Sequence, residues 1–210
     1  MKKLLIITAI LLLSTVVFAA ENPTDKGSLL LNGNASFTSI SGDELTGDES
    51  VTTINIIPSL GYFIAPNIMI GADLEYVKAS YADVSASSFG IGPTVGYYFN
   101  MDPMRMESKG AIFPYVKGFF IWTTTSPDLD EDIEFDGEVI SADDDMPKLK
   151  TTTYGLEGGL VFMLSNSVGA DFSLRYSFDS YKVDVPDVDD EESVDGNTLN
   201  IGVGITAFIY

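Results

Sequence analysis

Apolar or aromatic side chains alternate with small or polar ones in at least seven stretches of this chain. Successive side chains of a β-strand point to opposite faces, so an alternation with a period of two residues predicts strands. In the clearest stretch, 89–99, one phase carries Phe, Ile, Pro, Val, Tyr and Phe, and the other carries mainly Gly with Thr and Tyr. The bulky face of the predicted sheet is therefore its apolar face.

This distribution predicts a sheet that turns its large side chains toward lipid. A soluble barrel or sandwich needs bulky apolar residues inside, whereas here the other face holds Gly, Ser, Thr and a few charges. Strands can cross a bilayer only in a closed barrel, because an open edge would leave backbone N–H and C=O groups without partners in hydrocarbon. We therefore expect a closed barrel.

The alternation predicts eight strands, each long enough to span a membrane when tilted. An even number brings both termini to one rim, as an up-and-down barrel requires. The fold class that we predict is all-β, an eight-stranded antiparallel up-and-down transmembrane β-barrel. Pro58, Pro93 and Pro114 fall inside predicted strands, and each marks either a bulge or a position whose missing N–H the neighbouring strand does not need. The strands are placed near residues 28–40, 51–64, 68–78, 87–99, 111–124, 151–164, 168–178 and 197–210.

The connections alternate in length. Residues 65–67 and 165–167 form tight turns and 100–110 a moderate one, which places these three on one rim. The longer connections, 41–50, 79–86, 125–150 and 179–196, fall on the other rim and hold 23 of the 31 acidic residues. Short turns on the periplasmic side and long loops outside are typical of outer-membrane barrels.

Aromatic residues cluster toward both ends of the predicted strands, which predicts two interfacial girdles. Toward the short turns lie Tyr62, Phe63, Tyr97, Tyr98, Phe99 and Phe162, and toward the long connections lie Tyr76, Trp122, Tyr154, Phe178 and Tyr181.

Residues 1–19 have the pattern of a secretory signal peptide: Lys2 and Lys3, an apolar middle, and small residues placed for cleavage. The alternative, a membrane-anchoring helix, needs an apolar run of about 20 residues, and this run is shorter. We therefore divide the chain into a signal peptide, 1–19, and one barrel domain, 20–210, a length that suits a single unit.

The charge and the missing residue types exclude several functions. The formal net charge is −20, which argues against nucleic acid as a partner and against a peripheral protein on an anionic membrane surface. The chain has no His and no Cys, so Ser-His and Cys-His catalysis, disulfides and a thioether lipid anchor are all unavailable. A carboxylate pair could still act, but acids are too abundant here for a pair to be a signal. We expect no enzyme.

Three stretches resemble the small outer-membrane β-barrel family, the relatives of the OmpA and OmpX barrels: 58–76, 90–99 and 114–120. The resemblance spans nearly all of the predicted mature chain and implies a fold more than an activity. It also implies an insertion signal, since family barrels commonly end on an aromatic residue read by the insertion machinery, and Phe208 and Tyr210 fit. Ile201, Val203, Ile205 and Ile209 occupy the opposite phase, so either a bulge shifts the register or the last residue points inward.

Six charged residues lie on the inner phase of the predicted strands: Asp73, Glu75, Lys117, Glu157, Asp171 and Arg175. The interior of an eight-stranded barrel can be filled by side chains, so opposite charges there would bridge the lumen and close it. A buried charge left alone is costly, which is why both signs should occur together. The alternative is a narrow pore lined by these groups, which would prefer cations.

One long connection contains a possible cation-binding loop. Asp132, Glu134, Asp136 and Asp143 occupy positions one, three, five and twelve of an EF-hand-like spacing, with Gly137 at six. Glu at three, Ile140 at nine and Asp at twelve depart from that pattern. Looser association of calcium or magnesium with the acidic rim is the alternative, and we expect no other cofactor.

Together these observations predict an outer-membrane protein of the Gram-negative envelope with a structural or surface-interaction role and acidic extracellular loops. The runner-up is a narrow cation-preferring pore or small-solute channel. The expected partners are membrane lipid, lipopolysaccharide, the outer-membrane insertion machinery and periplasmic chaperones. We expect a monomer.

Overall fold

The computed structural model describes residues 20–42, 47–81, 84–100, 108–129, 133–135, 138–140, 148–184 and 193–210. These residues form ten antiparallel strands. Their bounds are β1 Leu29–Gly42, β2 Gly47–Ala65, β3 Ile68–Tyr81, β4 Val84–Tyr98, β5 Ile112–Leu129, β6 Ile133–Phe135, β7 Glu138–Ile140, β8 Lys148–Met163, β9 Val168–Asp184 and β10 Ser193–Ile209.

Eight of these strands close into a barrel in the order β1-β10-β9-β8-β5-β4-β3-β2, and β6 pairs with β7 in a separate hairpin. The predicted eight-stranded antiparallel barrel is therefore confirmed. Several strands extend further into the long connections than the alternation predicted, with β5 ending at Leu129 and β9 at Asp184. In the part of the chain that the structure describes, no helix has the length and hydropathy of a membrane crossing.

The two faces of the sheet are oriented as the alternation predicts. Ile91, Val95 and Leu174 project outward and are 51%, 54% and 51% exposed. Lys117 and Arg175 project into the barrel, where they are 3% and 4% exposed. The middle of the exterior is thus apolar and these two cations lie inside, which is the arrangement that a bilayer stabilises.

The prolines interrupt single ladders without shifting the strands. Pro58 pairs with Gly33 on β1, but the β2–β3 ladder has a gap at this level, and the register is the same on both sides of the gap. Pro93 pairs with Ala72 on β3 and leaves a similar gap in the β4–β5 ladder. Pro58 and Pro93 therefore each occupy a position where one neighbouring strand does not use the missing N–H, and Pro114 pairs with Leu160 in an uninterrupted β5–β8 register.

The last strand is regular, so the second of the two alternatives for the C-terminus holds. The β1–β10 pairing runs without a register shift from Leu29 and Ile209 onward. Ile205 is 63% exposed on the outside, whereas Phe208 is 1% exposed inside the barrel. Tyr210 is partly buried against large side chains inside the barrel at the short-turn end. Its hydroxyl donates to the carbonyl of Asn166 over 3.0 Å.

A cluster of large side chains fills the barrel at the short-turn end; we call it the aromatic plug. Its rings contact one another, with centroid distances of 5.5 Å for Phe63 and Tyr98 and 5.0 Å for Tyr98 and Tyr115. The segment before β1 packs beneath it, where Gly27 donates to the carbonyl of Phe63 and Asn67 to that of Thr24. The plug consists of Leu30, Phe63, Met69, Tyr98, Phe113, Tyr115, Val161, Met163 and Phe208.

Three aromatic residues that were predicted to belong to the interfacial girdles lie inside the barrel instead. Phe63 and Tyr98 belong to the inner phase and are buried in the plug, and Tyr181 lines the interior near the other rim. Tyr97, Phe99 and Phe162 do face outward at the short-turn end, as do Tyr76, Trp122, Tyr154 and Phe178 at the other. Position near a strand end alone does not distinguish the two faces, but the phase of the alternation does.

Candidate functional site in the barrel interior

Strand register places an anion between two cations on the inner wall. Glu157 on β8 lies directly opposite Lys117 on β5 and, on its other side, directly opposite Arg175 on β9. Lys117 Nζ is 3.2 Å from Glu157 Oε1, and Arg175 Nη1 is 3.5 Å from Glu157 Oε2. The period-two alternation of three neighbouring strands places these side chains on the inner face, and the register brings them level in one charged row.

Asp73 completes a four-membered arrangement from across the barrel. Its Oδ2 atom lies 3.7 Å from Lys117 Nζ and 3.6 Å from Arg175 Nη1. The strand between Asp73 and Lys117 is β4, whose inner phase at this level is Gly92, Thr94 and Gly96, so small side chains leave room for the contact. We call Asp73, Lys117, Glu157 and Arg175 the ionic tetrad; its formal charges cancel.

The tetrad is almost dry, and that determines what it can do. All four side chains are buried, and Arg175 also stacks over the ring of Phe119, with Cζ 3.5 Å from the centroid. Charges with so little water contact are stable only when each has opposite charges or donors around it. The tetrad therefore acts as a crosslink between β3, β5, β8 and β9 in the middle of the lumen.

Asp171 lies below the tetrad and is held by hydrogen bonds. It accepts from Asn32 Nδ2 at 2.5 Å and from Thr206 Oγ1 at 3.0 Å. The hydroxyl of Tyr115 lies within hydrogen-bond distance of both Asp171 Oδ1 and Glu157 Oε1, at 3.0 and 2.9 Å. Tyr115 thus connects the tetrad to the aromatic plug, to which its ring belongs.

Glu75 stands apart from the tetrad. Its Oε1 atom accepts from Asn55 Nδ2 at 3.2 Å, and it lines a cavity of about 350 Å³ between the tetrad and the long-connection rim. We call this cavity the vestibule. Asp179, on β9 at the opposite side of the barrel, also lines this cavity and accepts from Thr153 at 2.8 Å and Thr198 at 2.7 Å. The vestibule is therefore polar and carries two carboxylates, with Arg175 at its base.

The remaining predicted site residues fall elsewhere. Asp132, Asp136 and Asp143 lie outside the described residues, as does the side chain of Glu134, so the cation-binding loop stays a prediction. Within the described ranges, no group of three or more acidic side chains is arranged to hold a metal ion. The predicted signal peptide, 1–19, also lies outside the described residues, and both it and the insertion signal at Phe208 and Tyr210 stay predictions.

Sequence reasoning missed the aromatic plug and Asp179. The plug could have been predicted from large residues on the inner phase close to the short turns, namely Phe63, Met69, Phe113 and Met163. Asp179 continues the inward series of β9 after Asp171 and Arg175, but ending the predicted strand at 178 assigned it to a loop. The plug fills the barrel at the short-turn end.

Comparisons with known proteins agree with this geometry. Residues 6–206 match the model of the outer membrane protein beta-barrel domain. Among solved structures, Neisserial surface protein A (NspA) is similar with a TM-score of 0.54 and 17% identity, covering 87% of this chain and 97% of that one. The outer membrane protein OprG from Pseudomonas aeruginosa has a TM-score of 0.50 and 12% identity, covering 90% and 99%. No curated protein matches the chain by sequence.

At these identities the two solved structures support the fold alone, whereas the family model spans nearly the whole chain. A closed barrel with an apolar exterior and a polar interior is also typical of outer-membrane proteins. This chain belongs to the outer membrane protein beta-barrel domain family, and its place is the outer membrane of the Gram-negative envelope.

Proposed function

We propose that this protein is a non-conducting barrel with a structural and surface-interaction role. In this role the barrel is a rigid holder for acidic extracellular connections that meet ions, lipopolysaccharide or another surface. The observation that carries the proposal is the closure of the lumen, first by the ionic tetrad and then by the aromatic plug. An eight-stranded barrel has an interior that side chains can fill, and here they do so over two successive layers.

The wider relations that we propose follow from this role. Membrane lipid surrounds the outward apolar face, and the insertion machinery and periplasmic chaperones deliver the chain. Loosely held calcium or magnesium at the acidic rim would reduce repulsion between the long connections. We propose a monomer, because the tetrad and the plug satisfy the interior within one chain.

A narrow cation-preferring pore is the second candidate, and the vestibule favours it. Glu75 and Asp179 place two carboxylates on its wall, which would attract cations entering from the long-connection side. For conduction, however, ions would have to pass the tetrad and the plug. This candidate therefore requires a rearrangement of both layers.

Planar-bilayer recordings of the folded protein separate the two candidates. We expect no discrete conductance steps from the wild type. The double variant Phe63→Ala/Phe208→Ala, which thins the plug, serves as the comparison and should raise the leak. Heat-dependent gel migration of each sample verifies that the barrel is folded. Cation-selective steps in the wild type that diminish in Glu75→Gln/Asp179→Asn would overturn the proposal and support the pore.

A further inference from the structure

The ladder that closes the barrel is open along its long-connection half. Among the described residues, the register between β1 and β10 ends at the pair Ala35 and Val203. β2 nevertheless pairs with β1 to its end, and β9 pairs with β10 from its start. Beyond the last pair, each of the two strands therefore has a neighbour on one side only. We call the gap between 36–42 of β1 and 193–202 of β10 the lateral cleft.

The outward side chains beside the lateral cleft are unusually exposed. In the described part of the chain, the three large apolar side chains with the highest exposed fractions are Ile201 at 72%, Val194 at 68% and Phe37 at 67%. All three lie beyond the last β1–β10 pair. If the ladder continued, Phe37 and Ile201 would be directly opposite and would cover each other. Their exposure indicates that the two strands diverge here.

The lateral cleft reaches into the apolar band of the outer surface. Phe178 on β9, whose ring stacks on Tyr154, marks the membrane interface near the long connections and lies opposite Asn197 on β10. From Asn197 to Val203 the cleft continues below this interface for roughly 20 Å along the strand, or about 15 Å along the membrane normal at a tilt of ~40°. At that depth, unpaired backbone is tolerated only where it lines a water-filled cavity or is covered by protein.

The vestibule lies behind the lateral cleft and supplies such a cavity. Ser36 of β1 and Thr198 and Asn200 of β10 line it, and all three are inner-phase residues beyond the last β1–β10 pair. A smaller neighbouring cavity lies against both edges of the cleft, with Ser36 on one edge and Asn200 and Gly202 on the other. The vestibule therefore borders the membrane at this gap.

The vestibule carries a carboxylate on each side of the cleft. Asp179 is on β9, which adjoins β10, and accepts from Thr198 at 2.7 Å. Glu75 is on β3, which β2 separates from β1, and accepts from Asn55 at 3.2 Å. The cation among the lining residues is Arg175, which is engaged in the ionic tetrad. The two carboxylates therefore favour a positively charged ligand.

A buried acceptor in the same wall points to the kind of cation. Asn55 on β2 is 8% exposed and lines both cavities. Because a carboxylate only accepts hydrogen bonds, the contact with Glu75 fixes which amide atom of Asn55 is the nitrogen. The other atom, Oδ1, is buried and has no hydrogen-bond partner among the described residues. An unmade hydrogen bond at a buried acceptor costs free energy, so a cation with N–H donors suits this wall.

We propose that the lateral cleft admits and binds a single-chain amphiphile with a primary ammonium head group. The head group lies in the vestibule, donates to Asn55 Oδ1 and is neutralised by Glu75 and Asp179. The alkyl chain passes between β1 and β10 and lies against Phe37 and Ile201 on the membrane side. This site goes beyond the proposed structural role, because it assigns a class of ligand to the barrel wall, and it lies on the long-connection side of the ionic tetrad.

The first test compares octylammonium, octanol and octanoate, which have the same chain length, by native mass spectrometry of the folded protein in a neutral detergent. The variants are Glu75→Gln/Asp179→Asn in the vestibule and, as the matched control, Asp195→Asn, an exposed acid on the outward phase of β10. Heat-dependent gel migration verifies the fold of each variant.

We expect the wild type to bind octylammonium at least about tenfold more tightly than octanol or octanoate. The double variant should bind octylammonium at least about tenfold more weakly than the wild type, whereas Asp195→Asn should stay within about twofold. Equal binding of the three ligands, unchanged binding by the double variant, or an equal loss in Asp195→Asn would overturn the ammonium site.

The second test closes the lateral cleft. The chain has no Cys, so Phe37→Cys/Ile201→Cys introduces the only two thiols, which a disulfide or, over a longer separation, a short bismaleimide then links. The control variant is Leu160→Cys/Phe172→Cys, whose positions are outward and directly opposite in the paired β8–β9 ladder. Each protein is compared with its own unlinked form, and labelling of free thiols verifies the link.

We expect the link across the cleft to weaken octylammonium binding at least about tenfold, and reduction of the disulfide to restore it. The link in the control should change binding by no more than about twofold. Unchanged binding after linkage across the cleft would show that the ligand enters from the long-connection rim and would overturn the lateral site. Neither test measures conductance, so both results are independent of the test for a closed lumen.

Discussion

At the scale of single residues, the interior depends on charges that neutralise one another. Glu157 is the most connected of them, since it contacts Lys117 and Arg175 and lies within hydrogen-bond distance of Tyr115. Because these side chains are buried away from water, the contribution of each charge to stability depends on whether its partner is present. Removing one member alone should therefore cost more than removing a complementary pair.

Lys117→Met is predicted to lower the free energy of unfolding by about 3–5 kcal/mol, because Asp73 and Glu157 then share a single cation. Glu157→Gln should cost a similar amount. In Lys117→Met/Glu157→Gln the pair Arg175 and Asp73 remains, so the loss should be smaller than the sum of the single losses by at least ~1 kcal/mol. Urea unfolding in lipid vesicles, followed by tryptophan fluorescence, measures these values.

Lys109→Met is the matched control, since Lys109 is exposed at the short-turn rim. It should change the unfolding free energy by no more than about 0.5 kcal/mol. Strictly additive losses in the double variant would show that Lys117 and Glu157 act independently, which would contradict the tetrad as a unit.

At the scale of elements, the small residues of β4 decide how closely the strands around the tetrad approach. Gly92 lies on the inner phase opposite Asp73, at the level where Pro93 interrupts the β4–β5 ladder. A Cβ atom at Gly92 would overlap the backbone carbonyl oxygen of Phe120 on β5. Glycine is needed here because two backbones approach closely, not because of an unusual turn.

Gly92→Ala is therefore predicted to destabilise the barrel by about 1–3 kcal/mol, since β4 and β5 must separate to admit the methyl group. Gly118→Ala on β5 is the control, because a Cβ there would meet only the side chains of Val95 and Leu156 at 3.8 and 3.9 Å. That change should stay within about 0.5 kcal/mol. The midpoint of thermal conversion between folded and unfolded bands on a gel compares the two variants. Equal midpoints would argue against close backbone approach at this position.

At the scale of the whole molecule, the sheet has its apolar face on the outside and its polar face on the inside, opposite to a soluble barrel. The fluorescence of the single tryptophan can test whether the outer face contacts lipid. Trp122 projects outward near the long-connection end of β5. In lipid vesicles its fluorescence should be quenched strongly by lipids that carry bromine on their acyl chains, and weakly by acrylamide in the water. Strong acrylamide quenching with no effect of bromine would place this face in water and contradict the assignment.

The matched variant moves the probe to the inside. Trp122→Phe/Phe113→Trp places the only tryptophan in the aromatic plug, where brominated lipids should quench it much less because the barrel wall separates it from the acyl chains. The two proteins carry their single tryptophan on opposite phases of β5, outward at position 122 and inward at position 113. Their comparison therefore tests the inward and outward assignment directly.

Much of this architecture was accessible from the order of residues. The strands were placed to within a few residues at their short-turn ends, where β2 ends at Ala65 and β3 begins at Ile68. The long-connection ends were underestimated because β5 and β9 continue into acidic, weakly alternating segments up to Leu129 and Asp184. In such segments, pairing with a neighbouring strand extends the element where the local pattern is weak.

The candidate site was also predicted only in part from the sequence. The sequence placed Lys117, Glu157 and Arg175 on the inner phase together with the other predicted interior charges, since phase is a local property of each strand. It did not distinguish Asp73, which joins the tetrad, from Glu75, which contacts Asn55 two positions further along β3. Both residues share one phase, and only the register between strands determines which of them is level with Lys117.

The sequence by itself therefore determined three features: an apolar outer face, eight barrel strands, and an interior that carries charges of both signs. Side-chain alternation and connection length are local properties of a chain, which is why they could be predicted. The closed tertiary structure decided which inner side chains meet. Asp73 reaches Lys117 across β4, Asp171 is held by Asn32 and Thr206, and Phe208 of the last strand joins Phe63 of β2 in the plug. The physical reason is that closure and strand stagger bring residues far apart in sequence to one level of the lumen.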